Sequence, residues 1–165
     1  ITIGASGDTV IVPSGATLNV AGTLQSGGSA LVTGKVLQVV AGTDNTQRSA
    51  SSSNMSHGNS TAIATLTPSA TSSKILVIAN TTVGKASGTG NYSIFRDNTT
   101  NLATNYMLRS DGDNSGLMFS AAVLDSPNTT SEINYRIKWN NSSSAATYIG
   151  YDSSFTSVVA IEIGA

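Results

Sequence analysis

The stretch Lys74-Ile75-Leu76-Val77-Ile78-Ala79 is the one uninterrupted apolar run in the sequence with the length and composition of a deeply buried strand. It follows Pro68 and a Ser/Thr turn, is rich in β-branched residues and ends at Asn80. A short apolar run between turn signals predicts a strand covered on both faces rather than a helix. We therefore place this strand at the centre of a domain that covers residues 34–165.

Composition limits the classes of partner. Charged residues make up 10% of the 165 residues, and the formal net charge is −1. A usual soluble domain contains about 25% charged residues. The Lys and Arg residues are scattered along the chain. Because an electrostatic nucleic-acid footprint needs clustered cations, we expect no nucleic-acid partner.

Cysteine and long apolar segments are both absent from the sequence. Without cysteine the chain has neither disulfide bridges nor thiolate chemistry. No segment reaches the roughly 18 apolar residues of a membrane-spanning helix, and none reads as a signal peptide, so we expect no membrane insertion. The first residue is Ile1 rather than Met. The chain is therefore either processed or part of a longer protein, and we favour the second interpretation.

The first two dozen residues carry an internal repeat of the form Gly-x-Thr-apolar-x-apolar. Gly7-Asp8-Thr9-Val10-Ile11-Val12 is followed by Gly15-Ala16-Thr17-Leu18-Asn19-Val20 and by Gly22-Thr23-Leu24, with a turn signal at Pro13-Ser14-Gly15. Units this short bury their apolar face only against other copies. Residues 1–33 are therefore predicted to form an oligomeric β-stalk that ends in a glycine-rich hinge. A mobile Gly/Ser linker is the alternative.

Residues 34–165 alternate apolar and polar positions between turn signals, and no window has a helical period. The predicted strands are 36–40, 62–66, 74–79, 92–97, 102–109, 117–124, 132–139, 146–151 and 157–163. This pattern predicts an all-β fold in which the stalk is followed by a jelly-roll-like antiparallel β-sandwich head. The expected core contains Ile75, Val77, Ile133, Ile137, Val159 and Ile161. Residues 43–60, 84–90 and 111–116 are predicted to be polar loops.

Residue types that carry catalytic or metal chemistry are sparse. His57 is the only histidine, and no second His or Cys completes a zinc or base-catalysis site. The Asp111–Gly116 segment imitates the start of a calcium loop, yet an EF-hand would need Glu where Ala122 stands. Glu132 and Glu162 lie in no motif of a glycoside hydrolase. We expect a protein that is not an enzyme and needs no cofactor or metal, with a non-EF calcium site at Asp111 and Asp113 as the alternative.

Two groups of residues are candidates for contact with a ligand. Asp111, Asp113 and Asn114 form a polar turn, and Tyr151 and Asp152 lie at a strand end where exposure is expected. Aromatic residues at Tyr106, Trp139, Tyr148, Tyr151 and Phe155 could form a sugar-stacking platform, or they could be core residues.

Several short motifs follow one another in a fixed order in the second domain. They are Gly34-Lys35-Val36-Leu37-Gln38-Val39-Val40, Leu66-Thr67-Pro68, Thr71-Ser72-Ser73-Lys74-Ile75-Leu76-Val77, Arg96-Asp97, Leu124-Asp125-Ser126-Pro127, Tyr135-Arg136-Ile137 and Ile161-Glu162-Ile163. This order resembles a module at the C-terminal end of tail-fibre-like virion proteins of tailed phages that infect aquatic bacteria. The repeat before it resembles the β-stalk of such fibres.

The resemblance implies a homotrimeric virion appendage on the outside of the particle, with other virion proteins on its N-terminal side. Its distal head would attach the virion to a host cell-surface glycan or protein. The alternative is a structural fibre or a capsid or tail decoration element without a specific ligand. The polar loops favour the attachment role, because long polar loops on a rigid scaffold commonly carry binding residues.

Overall fold

The computed structural model describes residues 13–17, 19, 21–22, 25–26, 29–30, 35–54, 60–111 and 116–164. The chain divides into two compact units, Ile1–Thr33 and Gly34–Ala165. The strands are β1 (Gln25–Ser26), β2 (Ser29–Ala30), β3 (Val36–Asp44), β4 (Arg48–Ala50), β5 (Ala64–Leu66), β6 (Lys74–Lys85), β7 (Gly90–Arg96), β8 (Thr100–Asn101), β9 (Leu108–Ser110), β10 (Leu117–Asp125), β11 (Ile133–Asn141), β12 (Thr147–Ile149) and β13 (Thr156–Ile163). A short 3-10 turn spans Tyr151–Ser153. Among the described residues, no helix is long and apolar enough to cross a bilayer.

The first unit shows the predicted turn, in which the backbone N–H of Ala16 donates to the carbonyl of Pro13 at 3.0 Å. Within residues 25–34, the segment predicted as the glycine-rich hinge, β1 and β2 pair antiparallel. The apolar residues that the stalk prediction buries, Val10, Val12, Leu18 and Val20, lie outside the described residues. The oligomeric stalk therefore stays a prediction.

The second unit is built around β6, as the apolar run at its start predicts. Along one side β6 pairs with β10, and along the other it pairs first with β13 and then with β12. β3 lies beyond β13 and β4 lies beyond β12, which completes an antiparallel sheet of six strands. The prediction that β6 is covered on both faces holds only for the inner face, because Leu76 and Ile78 on the outer face are half-buried.

A second antiparallel sheet contains β5, β11 and β7, with β8 and β9 both paired to β7. The two sheets share one core, which has Ile75, Val77, Val83, Phe119 and Val158 from the six-stranded sheet and Tyr92, Ile94, Ile133, Tyr135, Ile137 and Trp139 from the five-stranded sheet. Every side chain in this list is at most 3% exposed. The all-β prediction is confirmed, and the second unit is a β-sandwich.

The predicted face of β13 is wrong. Val158, Ala160 and Glu162 point into the protein, whereas the predicted core residues Val159 and Ile161 are half-buried on the outer face. Glu162 is fully buried because its carboxylate accepts hydrogen bonds from Gln38, Ser69 and Ser73. With apolar residues on both faces of the strand, the alternation alone does not show which face is inside, and the structure places Val158, Ala160 and Glu162 there.

Three predicted boundaries also need correction. The loop 43–60 contains the end of β3 and all of β4, because the short polar β4 pairs with β12. The strand predicted at 102–109 is reduced to β9, and residues 102–107 lie outside any strand. The loop 84–90 is shorter than predicted, since β6 continues to Lys85 and β7 begins at Gly90. In each of these places, pairing with another strand sets the boundary that the structure shows.

The outer face of the six-stranded sheet carries two cross-strand rows without a charged side chain. One row consists of Val39, Ile161, Leu76 and Leu124. The next consists of Ala41, Val159, Ile78 and Ala122. Val39 and Leu124, at the two ends of the first row, are each 58% exposed. We call these eight residues the outer apolar face.

A buried carboxylate joins the two sheets. Asp125, at the end of β10 in the six-stranded sheet, accepts two hydrogen bonds from Nη1 of Arg96 in β7, at 2.9 and 2.8 Å. It also accepts a 2.7 Å hydrogen bond from the hydroxyl of Tyr135 in β11. Because both donors belong to the five-stranded sheet, this cluster connects the layers by polar contacts at one end of the apolar core.

Candidate functional site

A surface pocket of about 300 Å³ lies beside the turn that follows β12. Its lining residues are Gln47, Ala86, Tyr148, Tyr151 and Asp152. Two of them, Tyr151 and Asp152, are site candidates from the sequence, and Tyr148 belongs to the proposed aromatic platform. The structure therefore brings together three of the residues that the sequence singles out.

Strand pairing places Tyr148 in this pocket. The residue lies in the middle of β12, opposite Gly84 of β6 on one side and Ser49 of β4 on the other. Its neighbours Thr147 and Ile149 are buried, whereas Tyr148 is half-buried. The alternation along β12 therefore directs its ring to the outer face, as expected when successive side chains point to opposite sides of a sheet.

The Tyr151 ring packs directly against the sheet because Gly84 has no side chain. A Cβ atom built on Gly84 would lie 2.4 Å from Cδ2 of Tyr151, far inside van der Waals contact. A Cβ atom on Gly116 would lie 3.3 Å from Cδ1 of the same ring. The centroids of the Tyr151 and Tyr148 rings are 5.9 Å apart, with an angle of 56° between the ring planes. The two rings form a wedge, with Tyr151 at its floor.

The turn that carries Asp152 has an unusual backbone. Gly150, Asp152 and Ser153 all have positive φ values, of 58°, 56° and 56°. Left-handed backbone at non-glycine residues is sparsely populated and often clusters at functional sites. Buried hydrogen bonds hold this turn, because the N–H of Gly150 donates to Oγ1 of Thr81 at 2.9 Å and Thr81 contacts Thr156 at 2.7 Å.

Gln47 fixes the other side of the pocket. Its side-chain Oε1 accepts a hydrogen bond from the backbone N–H of Asp152 at 2.8 Å. This bond engages Oε1, so the group that Gln47 can offer a ligand as a donor is the Nε2 amide, and Asp152 contributes an exposed carboxylate. The pocket thus combines two aromatic rings with one donor group and one carboxylate acceptor.

Sequence reasoning missed Gln47 and Ala86 because no local pattern marks them. Gln47 precedes β4, and the pairing of Arg48 with Ile149 brings it next to the turn after β12. Roughly a hundred residues separate Gln47 from Asp152 along the chain. Only the long-range register could have identified the contact.

Asp111 does not line the pocket. Both oxygens of its exposed carboxylate accept hydrogen bonds from Nε of Arg109 at 2.9 Å, and Oδ1 also accepts one from Oγ1 of Thr89 at 2.8 Å. These bonds, that from Arg109 first, hold the pKa of Asp111 below its usual value. Thr89 lies in the connection 86–89 that also contributes Ala86 to the pocket. Asp113 and Asn114 lie outside the described residues, so their predicted role and the calcium alternative are still predictions.

The remaining candidates separate into buried and exposed residues. Trp139 is a core residue, 1% exposed, and its Nε1 donates to the carbonyl of Thr147 at 2.9 Å. Tyr106 and Phe155 are exposed, but neither lines the pocket. Glu132 is exposed and Glu162 is buried. His57 lies outside the described residues, among which no group of three or more His, Cys, Asp or Glu could hold a metal ion.

Comparison with known proteins gives little further information. No protein-family model matches the chain, and no curated protein matches it. Among solved structures, the chain is similar to one in the structure of infectious bursal disease virus Gx strain, with 11% identity and a TM-score of 0.39. The similarity covers 93% of this chain and 47% of that chain, so this chain spans about half the length of the other. A similarity at this level establishes no shared function.

Proposed function

We propose that the chain is part of a virion fibre and that residues 34–165 form its distal head, which attaches the virion to a host cell surface. The observation that carries this proposal is the surface pocket, whose lining includes Tyr148, Tyr151 and Asp152. Half-buried aromatic rings beside a few fixed polar groups are typical of ligand-binding sites. The order of motifs that resembles phage fibre modules supplies the virion context.

The strand order supports assigning the head to the jelly-roll class. The order β3, β13, β6, β10 in one sheet faces β5, β11, β7, β9 in the other. Each sheet therefore takes strands from both halves of the domain, as two interlocked Greek keys require.

The proposed assembly is a parallel homotrimer held mainly by the repeats in residues 1–33, displayed outside the virion. Trimeric display would strengthen attachment, because several modest binding sites that engage together give firm binding. A structural fibre or decoration element is the second candidate. The outer apolar face favours it, because an exposed uncharged surface of this kind is typical of protein contacts.

Binding to cells tests the attachment role. Fluorescently labelled protein that comprises residues 1–165 is incubated with a panel of aquatic bacterial isolates, and binding is measured by flow cytometry. We expect binding to some isolates, loss of that binding in Tyr148→Ala, and unchanged binding in the control Tyr106→Ala, which alters an exposed aromatic outside the pocket. If the unaltered protein binds none of the isolates, the structural role is favoured instead.

A further inference from the structure

The shape of the pocket limits the class of ligand it can accept. Its volume of about 300 Å³ lies at the lower end of the usual range for ligand sites. A site of this size accommodates one ring-sized group rather than an extended chain. The tilt of 56° between Tyr148 and Tyr151 leaves a wedge, which suits a puckered saturated ring better than a flat base stacked between parallel aromatic planes.

Part of the Tyr151 side chain is accessible to such a group. The ring packs on its inner side against the backbone at Gly84, and the residue as a whole is only half-buried. The π face of an aromatic ring carries partial negative charge. It therefore attracts the weakly positive C–H groups that line one face of a pyranose ring.

The polar groups of the pocket favour a ligand that carries hydroxyl groups. The carboxylate of Asp152 can accept hydrogen bonds from two neighbouring hydroxyl groups, and Nε2 of Gln47 can donate to a hydroxyl or ring oxygen. None of the lining residues is a cation. An acidic sugar would bring its carboxylate close to Asp152 without a compensating positive charge, so the pocket disfavours uronic and sialic acids.

The site is organised before a ligand arrives. The contact between Gln47 and the backbone of Asp152, together with the bond from Gly150 to Thr81, fixes the turn in its left-handed conformation. A ligand therefore does not have to order this segment on binding, which preserves affinity for a small group.

From these observations we propose that the pocket binds the terminal neutral pyranose of a glycan. The sugar stacks on Tyr151 beside Tyr148, and its hydroxyls bond to Asp152 and Gln47. This proposal rests on the proposed attachment function, because it names the chemical class that the head recognises on the cell surface.

The test measures monosaccharide binding to the full chain by saturation-transfer NMR. The probes are the methyl glycosides of glucose, galactose, mannose and N-acetylglucosamine. Methyl glucuronide serves as the acidic sugar for comparison, and tetramethylammonium serves as a cation of the kind that aromatic rings bind. We expect at least one neutral glycoside to bind and methyl glucuronide to bind at least about tenfold more weakly. Failure of all four neutral glycosides, or preferential binding of glucuronide or tetramethylammonium, overturns the proposal.

Two variants locate the binding. Tyr151→Ala removes the stacking surface and should weaken binding at least about tenfold. Asp152→Asn removes the charged acceptor and should weaken it by about tenfold, while Asn tolerates the positive φ at this position, so the turn is retained. The control Tyr106→Ala should bind like the unaltered protein. Equal binding by all three variants places the sugar elsewhere and contradicts the proposal.

The cell-binding experiment with Tyr148→Ala, taken together with the glycoside measurements, separates this inference from the attachment role. One outcome is that the unaltered protein binds cells, Tyr148→Ala abolishes that binding, and no neutral glycoside binds. In that case the head recognises another ligand, and only the sugar assignment is wrong. If a neutral glycoside binds in the pocket but no cell binds, the pocket assignment stands and the attachment role falls.

Discussion

At the scale of single residues, the carboxylate of Asp125 has a structural role that its position after an apolar strand does not suggest. It is 9% exposed and takes hydrogen bonds from Arg96 and Tyr135, so the charge is both buried and compensated. Removal of one member of such a cluster leaves the remaining groups without their partner at a mostly buried site, which costs more than the cluster itself contributes.

We expect Asp125→Ala to lower the free energy of unfolding by about 3–5 kcal/mol, since it leaves the Arg96 guanidinium without its carboxylate. Tyr135→Phe removes a single hydrogen bond to the carboxylate and should cost about 1.5–3 kcal/mol. Urea denaturation of both variants measures the difference. Equal costs for the two changes would show that the ion pair with Arg96 contributes little.

The lowered pKa values of two other carboxylates predict how the stability of the fold depends on pH. Burial alone would raise the pKa of Asp44, but hydrogen bonds from Thr61, Arg48 and Thr46 outweigh it and lower the pKa to about 2. Burial would likewise raise the pKa of Glu162. Hydrogen bonds from Gln38, Ser73 and Ser69 outweigh this effect, so the pKa of Glu162 lies below its usual value. A carboxylate whose pKa is lower in the folded state than in the unfolded state stabilises the fold only while it is ionised.

Stability should therefore be full above about pH 4.5, the unfolded pKa of Glu162, and should fall as the pH decreases toward about 2. Chemical denaturation at a series of pH values measures this slope. In Glu162→Gln, which cannot ionise, the loss of stability with acid should be shallower. An unchanged slope in this variant would assign the acid sensitivity to other groups.

At the scale of secondary structure elements, β11 and β13 differ in how well their faces could be predicted. In β11 the alternation of Ile133, Tyr135 and Ile137 with polar residues identifies the buried face, and all three are at most 3% exposed. In β13 apolar residues occupy both faces, and the sequence pattern does not show that the face of Val158, Ala160 and Glu162 is the buried one. The turn signals located most strands, whereas pairing partners such as β4 with β12 depend on contacts that no local pattern contains.

The two strands offer a matched pair of substitutions. Ile137→Ala removes a fully buried side chain and should lower the free energy of unfolding by about 2–5 kcal/mol. Ile161→Ala makes the same chemical change at a half-buried position on the outer face, and it should cost about 1 kcal/mol or less when both variants are made in residues 34–165. Comparable losses in both variants would mean that the outer face is covered in the folded protein.

The candidate site was predictable to the same degree as the strands that form it. Tyr151 and Asp152 stood out because an aromatic residue next to an acidic residue ended a predicted strand. Gln47 could not be identified, since its role depends on the register of β4 against β12. The sequence therefore indicated one side of the pocket and left the other side to long-range pairing.

At the scale of the whole molecule, the outer apolar face is too small to hold copies together alone. Four strands at about 4.8 Å spacing and three residues at about 3.3 Å each give an area on the order of 200 Å². A stable interface buries about 800 Å² on each partner. The face can therefore contribute to contact between copies of this chain, but most of the buried area has to come from elsewhere, and the repeats in residues 1–33 are the source we propose.

Light scattering on two protein lengths tests this assignment. The full chain should be a trimer, whereas residues 34–165, which have their own core, should be a folded monomer at micromolar concentration. Val39→Lys in the full chain should weaken the trimer without abolishing it, because it charges only the outer apolar face. A monomeric full chain would contradict the trimer, and a trimeric fragment 34–165 would move the main interface to the head.

The position of β13 between β3 and β6 has a consequence for how the protein is made. More than a hundred residues separate β3 from β13, which at roughly 5–20 residues per second corresponds to on the order of 5–20 s of synthesis. Until β13 emerges from the ribosome, β3 has no neighbouring strand and β6 lacks one of its partners. The sandwich consequently has to fold after translation of the whole domain. A chain that stops before Thr156 cannot complete the six-stranded sheet, so translation that ends early should yield products for proteolysis rather than defective copies of this domain.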